Sequence, residues 1–380
     1  MRTYIHELPD WPCFRYDVTA LLNPLAEAAG RRGLLIGRLE GLGFGELQDA
    51  KLDAIVSEVT KSSEIEGERL DYSLVRSSIA RRLGMETGGV PSGDHRVEGV
   101  VAMTVNATER WADPLTSERL FNWHTGLFPQ GRGPDGRVRV GAWRDESSGD
   151  MQVVSGPMGL EKVHFQAPDA PRLESEMATF IDWFEGDNEP NGIIKAGIAH
   201  LWFVTIHPFD DGNGRVGRAI LDLALARVDQ RPWRCYSVSA QIGEERTGYY
   251  NALEMAQNGT LDVTSWLDWY LRCLTRALDS AATKVSEALV RSRFWQRHSD
   301  KALNDRQRTV LARMLLGWDG KMTNKKWQKL TNTIPKTAQR DLAELVTLGI
   351  FTVDDAGGRS TAYTLVTEAP ELSTSPLAPN

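Results

Sequence analysis

Apolar residues recur at helical spacing over most of this chain. In residues 47–67, LQDAKLDAIVSEVTKSSEIEG, the residues Leu52, Ile55, Val56 and Val59 fall three and four apart, the stripe of a helix that stops at Gly67. The same period predicts helices over 72–83, 96–111, 117–127, 172–186, 193–206 and 215–229, another after Tyr249, and a long one over 264–292. Prolines at 9, 12 and 24 argue against a long helix within 1–30, and GMETGGVPSGD at 84–94 reads as a loop. Residues 130–170 break the pattern with glycines and short β-prone pieces. There, Val153 and Val154 are expected to pair with 163–165 as a hairpin across SGPMGLEK. No internal repeat is evident.

The pattern changes again toward the end. After a linker expected at 293–304, LNDRQRTVLARML and TNKKWQKLTN read as two helices, with a turn at 332–335. KTAQRDLAELVTLG follows as a third helix, and IFTVDDAGGRSTAYTLV as a hairpin turning at 355–358. That order describes a winged helix-turn-helix over 300–367. Residues 301–340 hold ten Lys/Arg and two Asp/Glu, against a formal net charge of −7 for the whole chain. Lys336 and Arg340 on the third helix would face phosphates or bases, so DNA is an expected partner of this part. A protein-contact or dimerisation module on the same fold is the alternative, and a homodimer stays open. Residues 368–380 read as a disordered tail.

Composition narrows the class. The 380 residues are 41% hydrophobic and 25% charged, an ordinary globular balance. The acidic total excludes nonspecific nucleic-acid binding by the chain as a whole. Cys13, Cys235 and Cys273 form no C-x-x-C pair, and their odd number argues for thiols in a reducing compartment. MRTYIHELPDWPCF carries no apolar signal core, and no run approaches the ~18 apolar residues a membrane span needs. A cytoplasmic protein with no membrane partner is expected.

The chemistry concentrates in HPFDDGNGRVGR, residues 207–218. Gly212, Asn213 and Gly214 precede an apolar helical run, so their amides sit at a helix N-terminus, an anion site by geometry and dipole. Arg215 and Arg218 are three apart, neighbours on one helical face, able to fork around a phosphate chain. Asp211 would repel that anion unless a cation lies between them, and magnesium takes one or two carboxylates together with phosphate oxygens. His207 has an imidazole suited to proton removal near neutrality. The set describes group transfer from a nucleoside triphosphate to a hydroxyl.

The stretch admits other readings. GNGRVG also spells G-x-G-x-x-G, but two carboxylates abut the glycines, and the fifteen residues upstream suit a helix better than a strand. A zinc site needs more His or Cys. A plain Asp/Asn/Gly turn with surface arginines is the simplest alternative. No Walker motif occurs.

Residues 207–218 match H-x-F-x-[DE]-G-N-G-R-x-x-R at every defined position, and on this motif the chain resembles the Fic-domain proteins, many of which are AMP-transferases (AMPylators). The resemblance implies that AMP moves from ATP, the co-substrate, to a Ser, Thr or Tyr hydroxyl of a protein target, in principle the chain itself, with release of pyrophosphate. It implies His207 as base and Asp211 as ligand of magnesium (or manganese). Asn213 and the 212–214 backbone would lie at the α-phosphate, Arg215 and Arg218 at the outer phosphates, and Val216 and Gly217 within the ATP site. Phe209 would anchor the loop by packing.

Ser62-Ser63-Glu64-Ile65-Glu66-Gly67 resembles the family's inhibitory motif [ST]-x-x-x-E-[GN], placed before the catalytic stretch as in the subclass with an N-terminal inhibitory helix. Ser62 and Glu66 are one turn apart, and Glu66 is expected to pair with Arg218 where a γ-phosphate would bind. The 153–165 hairpin falls where family members carry a flap that docks the target backbone, with Val163, His164 and Phe165 as its strand. The resemblance places Tyr249, Tyr250 and Asn251 near adenine and ribose; ordinary core tyrosines are the other reading. His124, His164 and His200 read as structural.

The expected architecture is therefore mainly α: a helical Fic core with a small β-hairpin flap, plus a C-terminal winged helix-turn-helix. Residues 1–105 would carry the inhibitory helix and 106–292 the catalytic core. Removal of AMP, transfer of another group (UMP, phosphate, phosphocholine), and a nucleotide-sensing DNA-binding regulator remain as alternatives.

Overall fold

In the computed structural model the residues described are 3–85, 94–133, 136–155, 162–318, 320–354 and 361–367. The centre of the 84–94 loop, the 156–161 part of the hairpin, the 355–358 turn and the 368–380 tail lie outside them. The chain divides into two compact units, residues 1–37 with 47–282, and residues 38–46 with 283–380. Among the described residues no helix is long and apolar enough to cross a membrane.

The first unit is helical, and its centre is α7 (Gly192–Ile206). Every residue of α7 from Ile193 onward except Lys195 is buried, so this helix is apolar all round and has no solvent face. Trp202 of α7 collects an aromatic cluster: Phe180 of α6 (Leu173–Glu185) lies 5.5 Å away between ring centroids, and Phe14 of the N-terminal segment 5.4 Å. Trp11 of the same segment donates its indole N–H to Glu176 at 2.8 Å, which satisfies that ring's polar atom. Helix α8 (Asn213–Asp229) packs on α7 through Gly217, where a Cβ would come within 2.8 Å of Val204.

The N-terminal expectation needs correction. Helix α1 (Val18–Leu39) runs straight through Pro24. Leu21, Ala28 and Leu35, seven apart, are all buried, and their burial outweighs the backbone hydrogen bond that proline removes. The helix predicted over 47–67 is α2 (Phe44–Ile65), followed by α3 (Tyr72–Arg82), α4 (His95–Glu109) and α5 (Ser117–Leu127). Then come two short ribbons. Strands β1 (Arg132–Gly133) and β2 (Gly136–Arg137) pair antiparallel. Strands β3 (Gln152–Ser155) and β4 (Lys162–Gln166) form the expected hairpin, with Val153 opposite Phe165 and Val154 opposite Val163. Helix α9 (Val238–Glu244) was not anticipated, and α10 (Arg246–Gln257) begins before Tyr249. Helix α11 (Thr264–Arg297) continues past residue 292, so 293–297 is helix and not linker. Val285, Leu289 and Phe294 keep one of its faces buried to the end.

The second unit has its own core. Its order is α12 (Asp305–Leu315), β5 (Met322–Thr323), α13 (Asn324–Thr331), α14 (Pro335–Thr347), β6 (Phe351–Val353) and β7 (Ala362–Leu365). Short β5 was missed by pattern reading; it adds to the hairpin to give an antiparallel sheet in the order β5–β7–β6. Asn332 takes a left-handed conformation (φ 51°) between α13 and α14, the turn read from the sequence. Trp327, Leu342, Leu345, Ile350 and Phe351 are buried together. The buried Asp341 is held by Arg306 at 2.9 and 3.1 Å, a pair that joins α12 to α14. Lys325, Lys329, Lys336 and Arg340 are exposed on α13 and α14. Truncating the fully buried Trp327 to alanine is expected to destabilise this unit by about 3–5 kcal/mol. Amide hydrogen exchange should accelerate across 305–350 in that variant while peptides from 193–226 keep their protection.

Candidate active site

The site is built wholly within the first unit, on the turn that joins α7 to α8. His207 ends α7 in a left-handed conformation (φ 52°, ψ 57°), costly for a non-glycine residue and sustained only because surrounding groups over-determine it. Arg144, buried outside the motif, supplies much of that restraint. Its backbone N–H donates to Pro208 O and its Nε to His207 O, each at 2.9 Å, and its Nη2 donates to Pro168 O. Asn213 closes the turn from the other side: its Nδ2 donates to Phe209 O at 2.7 Å and its Oδ1 accepts from Phe209 N at 2.9 Å. Phe209 is fully buried and stacks on His124 with ring centroids 4.1 Å apart.

Hydrogen-bond chemistry assigns a tautomer to each of three histidines here. A carbonyl oxygen only accepts, so His207 Nδ1, 3.2 Å from Val204 O, carries the proton, and Nε2 is the unprotonated nitrogen. Burial pushes the His207 pKa down to about 4; the nearby Arg144 charge acts the same way, while the Val204 bond and Glu66 oppose it. The imidazole is thus neutral near pH 7 with a lone pair available. His124 has the opposite arrangement: Gly141 N donates to its Nδ1, and its Nε2 donates to Asp211 O at 3.1 Å. In His200, Nδ1 donates to Gly217 O and Nε2 accepts from Tyr249 Oη, both at 2.9 Å. Burial holds both of these histidines near pKa 4 as well. They are structural, as the sequence suggests, and only His207 offers a base.

At the N-terminus of α8, Gly212 is left-handed (φ 81°) and precedes the free amides of the first turn. A carboxylate already stands against this first turn. Glu66 Oε1 lies 2.0 Å from where a Cβ on Gly214 would stand, and 2.8 Å from Arg218 Nη2. Arg218 is almost completely buried; its Nε donates to Ser62 Oγ at 2.9 Å and its Nη2 to Ser62 O at 2.8 Å. Both ends of the S-x-x-x-E segment therefore hold one guanidinium. Helix α2 is fixed for this by Glu58, a buried carboxylate one turn before Ser62 that accepts from Ser237 Oγ at 2.7 Å and Ser239 N at 3.2 Å at the start of α9. Gly67 then reverses the chain with φ +83°, and the next residue returns to the site: Glu68 Oε2 lies 2.8 Å from Arg215 Nη1. Beside these groups opens a cavity of about 1040 Å³, lined by Glu66, Glu68, Arg96, Phe128 and Arg215 among others.

The structure brings His207, Asp211, Gly212, Gly214, Arg215, Arg218, Ser62 and Glu66 together at this turn, and gives several other residues surroundings that the sequence does not show. The Asn213 side chain is spent on the Phe209 backbone, so what it leaves toward a ligand is its main chain. Val216 is fully buried, and Gly217 is a packing glycine against α7, so neither presents a side chain to a ligand at the turn. Tyr249 is core: its hydroxyl is bound to His200 and its ring lies against Trp266 and Trp269. Tyr250 is 37% exposed and stands in the field of Glu66 and Arg218, which makes it the tyrosine that borders the site. Asn251 is exposed on α10. In the hairpin, Phe165 faces the core, His164 Nδ1 pairs with Glu254 at 2.7 Å, and His164 O accepts from Asn258 Nδ2 at 3.2 Å; Val163 is half-buried. Part of that strand's edge is thus already engaged within the chain. Arg144 and Glu68 escaped sequence reasoning. Glu68 had a signal, a third carboxylate in EIEGE, which alone is indistinguishable from a solvated helix end.

Asp211 tests the fit of a metal. Its side chain is 37% exposed, its Oδ1 accepts from the Gly212 amide, and Arg215 Nη2 stands 4.0 Å away. Among the described residues no cluster of three His, Cys, Asp or Glu could hold a metal by itself. A single part-exposed carboxylate beside an anion site suits a hard cation that takes most of its oxygens from a ligand.

This turn joins a helix N-terminus, two arginines and a neutral imidazole on a helical scaffold, a candidate anion site. Residues 114–225 match the Fic/DOC family, and residues 4–85 match a domain of unknown function, DUF4172. The chain is 24% identical over 249 residues to a protein adenylyltransferase Fic from Aedes aegypti, covering 63% of this chain and 44% of that one. It is 27% identical over 183 residues to a uridine 5'-monophosphate transferase from Xanthomonas campestris pv. campestris, covering 42% and 31%. The chain thus spans less than half the length of these curated relatives. A solved Fic family protein from Desulfovibrio desulfuricans G20 shares the fold, with a TM-score of 0.55 at 22% identity over 94% of this chain and 98% of that one.

The buried histidines make acid stability a test of this arrangement. Their pKa falls from 6.5 to about 4 on folding, so between those values the unfolded chain binds protons that the folded chain does not, and stability drops as pH falls through that window. His124→Gln keeps a donor for Asp211 O and removes one of the three. Its urea midpoint should fall less steeply than wild type between pH 6.5 and about 4; equal slopes would show that His124 is not held neutral.

Proposed function

We propose that this protein transfers AMP from ATP to a side-chain hydroxyl of a protein, with release of pyrophosphate, and that Glu66 holds the activity low. One observation carries the reading: a carboxylate lies against Gly214 and Arg218, at the helix N-terminus that the neutral His207 flanks. A group occupying that place excludes a phosphate of like charge from the same amides and guanidinium. The names of the curated relatives support nucleotidyl transfer, and they include both an adenylyl and a uridylyl transferase; UMP is therefore the second nucleotide to test.

In this mechanism the target hydroxyl gives its proton to His207 Nε2 as its oxygen attacks the α-phosphorus, and the bond to pyrophosphate breaks. The Gly212–Gly214 main chain receives charge that develops at the α-phosphate. Arg218, once released by Glu66, and Arg215 take the outer phosphates. Asp211 would hold magnesium or manganese against those phosphates, and the ion supplies charge neutralisation there. Tyr250 borders the nucleoside side, and the β3–β4 hairpin is the candidate place for the target segment.

Incubation with ATP or UTP labelled at the α-phosphate tests this directly. Glu66→Gly should incorporate at least about tenfold more label into itself or an added target than wild type, and His207→Ala in that background none. Equal incorporation by wild type and Glu66→Gly would remove the inhibitory role. Retention of label by the His207→Ala variant would remove the base. Loss of AMP from a pre-modified target would instead favour the reverse reaction, and nucleotide binding without transfer a sensor.

The second unit supports a separate proposal, that its α12–β5–α13–α14–β6–β7 order is a winged helix-turn-helix that contacts duplex DNA. Lys336 and Arg340 are exposed one turn apart on α14, with Lys325 and Lys329 exposed on α13. Fluorescence anisotropy of the full chain with a random duplex should show affinity that falls steeply with salt, and Lys336→Ala with Arg340→Ala should flatten that dependence by about two units of log–log slope. Salt-independent or absent binding would favour a protein-contact role.

A further inference from the structure

Glu66 is not the only carboxylate in the nucleotide's place. Two residues later Glu68 Oε2 lies 2.8 Å from Arg215 Nη1, and the Arg215 side chain is 6% exposed. Gly67, at φ +83°, turns the chain so that residues on either side of it reach different arginines of the same helix. The Glu68 amide donates to Ser63 O at 3.0 Å, which ties this return to the end of α2. Glu68 Oε1 also lies 4.0 Å from Arg96 Nη1, so its carboxylate sits between two cations on the wall of the adjoining cavity. Arg215 is not satisfied by this pairing: its Nε is buried without a hydrogen-bond partner among the described residues. A group able to accept from more than one of its nitrogens would bind it better than Glu68 does.

We propose that Glu68 is a second nucleotide-competing carboxylate, which masks Arg215 as Glu66 masks Arg218, so that the polyphosphate of ATP must displace both. This rests on the reading of residues 207–218 as an ATP site. The two contacts have separate consequences. Glu66 lies on the helix N-terminus itself and blocks the productive seat of the phosphates. Glu68 stands to one side and occupies only the guanidinium that would receive an outer phosphate. Releasing Glu68 should therefore act mainly on nucleotide affinity, whereas releasing Glu66 changes both affinity and turnover. The two arms share one hinge, Gly67, where the surrounding space is open but the backbone disfavours any residue with a Cβ.

Calorimetric titration of the full chain with magnesium-ATP separates these effects. His207→Ala prevents turnover, and Glu66→Gly in that background opens the first arm. Adding Glu68→Gln should then tighten ATP binding by about fivefold, the size expected of one partly exposed ion pair, with a matching drop in KM and little change in kcat when His207 is restored. Glu68→Asp, a methylene shorter, should lie between. Thermal unfolding of each variant checks that the fold is kept. If the Glu66→Gly variant binds and transfers normally and Glu68→Gln leaves ATP affinity unmoved, the second arm does not exist, while the proposed activity stands. If Arg96→Gln reproduces the gain, Glu68 acts through Arg96 and not by masking Arg215, and the proposal is overturned. Failure of Glu66→Gly to bind ATP at all would sink the nucleotide reading first.

Discussion

A guanidinium buried as deeply as Arg218 cannot be left without a counter-charge. Taking it from water costs several kcal/mol that only a well-placed anion restores. Glu66 and the Ser62 oxygens meet that requirement. The carboxylate is thus part of what keeps the site intact. Under the proposed function the same contact would also hold the place of a phosphate, so that inhibition and stability would arise together.

The turn that carries this chemistry is rigid because polar groups that face away from the ligand hold it. Asn213 binds both backbone groups of Phe209, Arg144 binds the carbonyls of His207 and Pro208, and His124 binds the carbonyl of Asp211. The Asn213 bonds are buried and the Arg144 and His124 side-chain bonds part-buried, settings where an unmade bond is costly. The left-handed His207 follows from these restraints and not from its own preference. Its Nε2 stays available because Val204 O has claimed Nδ1.

Much of the fold was legible. The period of α2, α5, α7 and α8, the β3–β4 pairing and the three helices of the second unit all follow from patterning that packing reinforces. The failures share a cause. Helix α1 contains a proline that local rules treat as a breaker, yet three buried residues seven apart outweigh it. Helix α9 has only seven residues, too few for a period to show, and rests on Ser237 as its N-cap with Glu58 of α2 beside it. Strand β5 is two residues long and exists because β7 pairs with it.

The sequence alone determined which residue types share the 207–218 turn, that glycines there free the main chain for an anion, and that Ser62 and Glu66 lie one helical turn apart. Those are properties of adjacent residues and of fixed helical geometry. Tertiary structure decided the rest. It showed that Asn213 stitches the loop, that Tyr249 belongs to the core while Tyr250 borders the site, that Arg144 restrains His207 from outside the motif, and that Glu68 comes back onto Arg215. Each of these depends on which buried polar group finds its partner across long stretches of chain, and spacing carries no record of that.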